Sequence, residues 1–230
     1  MAQSWTEREA RQAAAYDRMG ELYDEVFPHK EGQIALVAHL LKSLPDSAHV
    51  LDVGCGTGLP TARQFSEAGC RVTGVDISPV MLATARGNVP EATFVLGDAV
   101  DLLDLFDRPD PGRDPIRFDA VVAFFSLLNL PRSRLDEAFA AVRRLLVPGG
   151  LFGLSMVEAD IDDLPFPFLG QEVRVSGYPR DDLHAHVAAA GFAIEWDDAV
   201  SYAPPTEQSP PETQLFVAAR RVEGELTEGS

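Results

Sequence analysis

Between residues 48 and 158 five short apolar runs alternate with stretches of helical pattern, and no other feature narrows the fold of this chain as much. The runs are "AHVLDV" (48–53), "RVTGVD" (71–76), "TFVLGD" (93–98), "RFDAVVAFFSL" (117–127) and "LFGLSMVE" (151–158). Residues 58–68, 78–88 and 131–146 read as helices between them. Gly69 stops the first, Ser78 and Pro79 suit the N-cap and first turn of the second, and "VPGG" closes the third. Such alternation predicts a parallel sheet covered by helices on both faces. The fourth run is apolar almost throughout, as a strand buried on both faces must be.

The flanks extend this core. Residues 6–27 read as a helical arm whose Tyr16 and Tyr23 share one face if the helix persists through Gly20. A second apolar-periodic helix spans Gln33 to Leu44. Residues 100–116, rich in Asp, Pro and Arg, predict a surface excursion with a short helical turn at most. Residues 158–178 read as irregular, with "EVRVSG" hinting at a small strand pair or lid. A helix follows over 178–192, opened by Pro179 and acidic residues and closed by Gly191. Strands 193–202 and 213–221 have only a turn-rich link and should pair antiparallel. The expected organisation is one domain: arm 1–45, cofactor core 46–158, insert 159–178, C-terminal helix and strand pair 179–221, and a frayed tail 222–230.

Three glycines stand in five residues of "VLDVGCGTGLP" (50–60), where the first strand turns into a helix. Such a turn presents backbone N–H groups and a helix N-terminus to an anionic or dipolar ligand. Gly54, Gly56 and Gly58 lack the spacing of a dinucleotide turn, Leu59 holding its third glycine position, and no lysine marks a P-loop. Asp52 stands two residues before the first glycine. Asp76 ends the second strand 22 residues beyond Gly54, where a carboxylate takes both hydroxyls of a ribose. Asp98 ends the third strand 22 residues further on, in reach of an adenine amino group, with Ile77, Met81 and Ala99 flanking the ring. Adenosine carrying a polar, phosphate-free group fits this set, and S-adenosylmethionine answers that description.

Taken in order, "LDVGCGTG", "VTGVDIS", "LGDA", "FDAVVAFFSLLNLP" and "LVPGG" resemble the motifs of class I S-adenosylmethionine-dependent methyltransferases, over about residues 10 to 221. The resemblance implies a Rossmann-like, doubly wound α/β fold: a seven-stranded sheet, mostly parallel, with its last strand inserted antiparallel. It also implies that Gly54, Gly56 and Gly58 approach the methionine part, Asp76 the ribose, and Gly97 and Asp98 the adenine. Phe124 and Ser126 would line the pocket at the end of the fourth strand. The arm "YDRMGELYDEVF" is similar to the segment that closes over the cofactor in small-molecule members, which puts Tyr16 and Tyr23 near its carboxylate or methyl group.

Methyl transfer from a sulfonium is a displacement on an activated electrophile, so geometry and desolvation dominate. His29, where arm meets core, reads either as a general base or as an exposed loop histidine. Glu158 reads either as a partner for an amine or proton, or as part of a solvated acidic loop. Asn129 stands where some related enzymes carry a histidine, and an amide cannot take a proton. Phe166, Phe168 and Tyr178 suggest a hydrophobic or planar acceptor, or a plug at the end of the sheet. A non-methylating enzyme of the same fold and a peptide methyltransferase are the alternatives.

The balance of 19 Lys and Arg against 36 Asp and Glu gives a formal charge of −17, which disfavours a nucleic acid as main partner. No apolar leader or spanning run is visible, Cys55 and Cys70 have no metal-ligand spacing, and His184 and His186 diverge on a helix, so a cytoplasmic protein without a metal is expected.

Overall fold

The computed structural model describes residues 5–20, 22–26, 30–108, 115–203 and 211–223. The arm is two helices rather than one, α1 (Trp5–Met19) and α2 (Leu22–Val26). The break falls at Gly20, whose φ of +47° lies in the left-handed region, so Tyr16 and Tyr23 do not share a helix face. Helix α3 (Glu31–Leu41) then enters the core, followed by β1 (His49–Val53), α4 (Thr61–Glu67), β2 (Arg71–Asp76), α5 (Pro79–Asn88) and β3 (Thr93–Leu96). Ser78 caps α5 as expected, its hydroxyl accepting the Met81 N–H at 3.1 Å. Next come α6 (Leu102–Phe106), β4 (Phe118–Phe124), a 3₁₀ turn at Leu127–Asn129, α7 (Arg132–Leu145) and β5 (Leu146–Val157). The expected surface excursion falls partly outside the described residues.

Strand β5 begins five residues earlier than the apolar pattern suggests. Leu146 already pairs with Phe118, and "VPGG" bulges out before Leu151 resumes pairing with Ala120. The insert is also more regular than expected: β6 (Ile161–Phe168) and β7 (Gln171–Gly177) form an antiparallel hairpin. Leu169 and Gly170, both at positive φ, make its two-residue turn, which matches the natural twist of paired strands. Pro165 and Pro167 are tolerated because β6 has a free edge. Helix α8 (Arg180–Ala189) and strands β8 (Phe192–Tyr202) and β9 (Glu212–Arg221) complete the chain.

The main sheet has seven strands in the order β3-β2-β1-β4-β5-β9-β8, with β9 antiparallel to both its neighbours. One face is covered by α3, α4 and α5 through Leu36, Phe65 and Leu82. The other is covered by α6, α7 and α8 through Phe106, Phe139 and Leu183. A fully buried phenylalanine such as Phe65 or Phe118 contributes about 2–3 kcal/mol by leaving water. A third, smaller cluster joins Ala15 and Met19 of the arm to Met81, Leu169 and Val173. It roofs the carboxyl ends of the parallel strands. Among the described residues no helix is long and apolar enough to cross a membrane.

Candidate active site

Strand order reverses between β1 and β4, and in open α/β sheets the crevice beyond such a point is where ligands bind. Gly54 leaves β1 there with φ +71°, and a Cβ on it would stand 2.2 Å from Ser126 Cβ, so only glycine lets the two strand ends approach. Ser126 Oγ donates to Val53 O at 2.6 Å and ties them. Gly56, φ +52°, has the opposite surroundings: no heavy atom lies within 4 Å of where its Cβ would be. Gly58, at φ +77°, faces Val89 (3.2 Å), Ala85 and Phe94, so it packs the turn on α5, and it is not among the residues that line the cleft over the turn.

A cleft opens over this turn. Tyr16, Tyr23, Asp52, Gly54, Gly56, Asp76, Ile77, Met81, Gly97, Asp98, Ala99, Phe124 and Ser126, all expected from sequence, line it together. The two oxygens of Asp76 accept the Gly56 and Ser78 N–H groups, each at 2.8 Å, which holds its side chain at the lip of the turn. Burial nevertheless raises its pKa, because those two hydrogen bonds only partly offset the lost hydration. Asp52 is buried, and burial followed by the charge of Asp76 pushes its carboxyl up to about 7. Its Oδ2 has no hydrogen-bond partner. Such an oxygen suits a donor brought by a ligand.

The arm supplies the upper wall. Asp17 accepts from the Ser78 hydroxyl at 2.6 Å and so docks α1 on the start of α5. Asn129 Nδ2 donates to the Tyr16 hydroxyl at 3.0 Å, while its Oδ1 accepts from Gln12 at 2.7 Å. Asn129 is therefore a clasp between the β4 end and the arm, and takes no proton. Burial pushes the Tyr16 phenol up to about 12, and that of Tyr23 higher still. Glu9 reaches Asp98: burial, then the hydrogen bond and charge of Asp98, push its carboxyl up to about 7. Lys30 pairs with Asp24 of α2 and donates to Leu59 O at 3.2 Å, beside the glycine turn. Arg8, Glu9, Gln12 and Lys30 were missed from sequence. The first three precede Tyr16 by eight, seven and four residues, which is the helix spacing that marks them as neighbours.

A second cavity of about 540 Å³ lies under the hairpin and shares Tyr16, Tyr23, Lys30, Gln33 and Phe125 with the cleft. Phe125 is held at φ +52°, strain for a phenylalanine, by its N–H donating to Ser155 and by edge-on packing on Phe216. Phe166 and Phe168 line the second cavity. Tyr178 does not: it is buried beneath the Arg132 guanidinium (4.2 Å) and against His186 (4.5 Å), so it belongs to the packing of α8. Glu158 stands at the cavity rim, where its carboxylate accepts the Arg180 N–H at 3.2 Å and caps α8. His29 lies outside the described residues. Among those residues no cluster of His, Cys, Asp and Glu suits a metal, and His184 turns to Asp197 while His186 packs on Tyr178.

Residues 50–150 match a family model described as a methyltransferase domain. An uncharacterised methyltransferase of Synechocystis sp. is 37% identical over 151 residues, 63% of this chain and 66% of that protein. The dTDP-3-amino-3,4,6-trideoxy-alpha-D-glucopyranose N,N-dimethyltransferase of Streptomyces venezuelae is 28% identical over 204 residues, 81% of each chain. Among solved structures, the Burkholderia thailandensis 1,6-didemethyltoxoflavin-N1-methyltransferase has the same fold, with TM-score 0.70 and 22% identity over 97% of this chain and 92% of that one. The chain spans 66% and 53% of the lengths of the first two curated relatives it matches.

Proposed function

We propose that this chain, whose residues 50–150 match a methyltransferase domain, is a class I S-adenosylmethionine-dependent methyltransferase that moves a methyl group from S-adenosylmethionine to a small, planar or hydrophobic acceptor. One observation carries this reading: a cleft over the glycine turn and an aromatic-walled cavity meet at a shared wall of Tyr16, Tyr23, Lys30, Gln33 and Phe125. Two ligands held there meet at that wall.

The bound cofactor supplies a methyl already activated by sulfonium charge. Asp76, whose oxygens keep lone pairs beyond the two backbone N–H groups, accepts the ribose hydroxyls. Asp98 accepts the adenine amino group between Ile77, Met81 and Ala99. The unpartnered Asp52 oxygen takes the α-amino group, and Lys30 the carboxylate. Tyr16 and Tyr23 close the junction and exclude water, and their raised phenol pKa values keep both neutral. Rate comes mainly from proximity, which in well-oriented reactions is worth about 7–11 kcal/mol. His29 remains the proposed base for acceptors that must lose a proton. The dTDP-3-amino-3,4,6-trideoxy-alpha-D-glucopyranose N,N-dimethyltransferase named above, whose name gives a small molecule as acceptor, supports a small molecule over a peptide.

Calorimetric titration with S-adenosylhomocysteine, beside NAD⁺, tests the cofactor half. Binding of the first alone is expected, and binding of NAD⁺ alone would overturn the reading. An acceptor screen read by S-adenosylhomocysteine release tests the other half, and His29→Ala should slow turnover there without weakening cofactor binding.

A further inference from the structure

Strand β9 lines the acceptor cavity with Glu212, Thr213, Gln214 and Phe216. Glu212 and Gln214 add a carboxylate and an amide to an enclosure that carries the rings of Phe166 and Phe168 and the polar Gln33, Ser176, Ser201 and Thr213. Glu212 is half-buried, and its Oε1 accepts from Gln214 Nε2 at 2.8 Å. Burial raises its pKa, and that one amide hydrogen bond opposes the rise without cancelling it. Among the described residues no ion pair joins Glu212. The one described cation on the cavity wall is Lys30, which is held by Asp24 and lies over the Tyr23 ring, 5.4 Å from its centre. The other titratable acid there, Glu158, adds negative charge at the rim.

A half-buried carboxylate fixed by a neighbouring amide, in a pocket without a cation of its own to spare, favours a ligand that brings positive charge or strong donors. It disfavours a carboxylate or a phosphate. We infer that the acceptor is a planar or aromatic molecule bearing a basic amine, and that Glu212 is the residue that selects it. This rests on the methyltransferase reading and narrows its substrate class.

The geometry gives the two ends of such a molecule separate seats. Phe166 and Phe168 on β6 offer ring faces for the flat part, and Phe168 lies 6.2 Å from Tyr23, centre to centre. Glu212 and Gln214 receive the amine at the β9 side. Both residues lie outside the cleft over the glycine turn, so they discriminate among acceptors without touching the cofactor seat.

The experiment measures binding of tryptamine, tryptophol and indole-3-acetate to the full chain saturated with S-adenosylhomocysteine. These share one ring system and differ in the charge of the side chain. Tryptamine is expected to bind about tenfold more tightly than tryptophol, with indole-3-acetate weakest. Glu212→Gln should remove that order while S-adenosylhomocysteine affinity, measured on the same sample, stays unchanged. Equal affinities, a preference for the acid or alcohol, or no binding of any of the three would overturn the inference in a protein that still binds S-adenosylhomocysteine. Failure to bind S-adenosylhomocysteine itself would count against the methyltransferase reading instead, and the wild-type comparison stands even where the variant misfolds.

Discussion

The floor and the roof of the site are built by different physics. The floor, from the glycine turn through Asp76 to Ser126, is the carboxyl edge of a parallel sheet buried on both faces, with backbone hydrogen bonds setting each side chain. The roof is two short pieces, the arm and the β6–β7 hairpin, joined by a small apolar cluster and by charges. Arg8 donates both to Asn129 O and to Asp163, each at 2.7 Å, and Arg174 meets the other Asp163 oxygen at 2.9 Å. A floor fixed by a sheet is rigid. A roof held by a few side chains is the part that can open to admit ligands, because local openings need little free energy where few apolar contacts are lost.

Four experiments bear on that contrast, beginning with the largest effect. Gly54→Ala forces a Cβ onto Ser126 at a positive φ and should cost about 2–4 kcal/mol of unfolding free energy with loss of cofactor binding. Gly56→Ala, with open space around it, should cost only about 1–2 kcal/mol from its φ. Urea unfolding of the pair checks this, and equal losses would mean the floor is less tightly fixed than described. Second, Asp76→Ala should weaken S-adenosylhomocysteine binding by about tenfold to a hundredfold in a protein that still folds but melts lower, since two hydrogen bonds to a charged group are lost from the complex and the Gly56 and Ser78 N–H groups lose their acceptor. Unchanged affinity in a folded variant removes Asp76 from the ligand seat.

A pH effect comes third. The folded Asp52 carboxyl is raised from 3.8 to about 7, so its burial weakens the free protein as pH rises through about 7 and not below 3.8. A ligand ammonium favours the carboxylate, so S-adenosylhomocysteine affinity should climb as pH approaches about 7 and then level off, with protons released on binding below that pH. Asp52→Asn should flatten the profile, and a profile that survives the change assigns it to another group. The smallest effect belongs to the roof. Burial acts against ionisation of Asp163, yet the Arg174 and Arg8 guanidiniums outweigh it and hold the carboxyl below its usual range. Its contribution is complete above the unfolded value and disappears as pH falls through the lower folded one. Asp163→Asn should shift stability by about 1 kcal/mol or less but speed hydrogen exchange in α1 and the hairpin. Unaltered exchange would show that the apolar cluster alone holds the roof.

The floor was legible because its signals are local. Asp52, Asp76 and Asp98 stand at or within two residues of the ends of β1, β2 and β3, glycines follow β1, and a parallel sheet brings all carboxyl ends to one edge, so position along the chain translates into place in the site. Gly58 packs the turn on α5 and Tyr178 packs beneath an arginine, and in sequence such residues look the same as ligand-facing ones. The hairpin was only hinted at, since prolines at 165 and 167 argue against a strand unless its outer edge is free.

What the amino-acid sequence determined by itself was the sheet, the glycine turn that floors the cleft and the acidic residues along its edge, all set by short-range pattern and a nearly unique way of closing strand–helix units. Tertiary structure alone decided the roof and the cavity under the hairpin. Tyr16 and Tyr23 converge across a break at Gly20 that a single helix face does not describe. Glu212 lines the same cavity as Phe166 and Phe168 only because the last strand inserts between β5 and β8, and segments brought together from so far apart in the chain leave no period in the sequence to read.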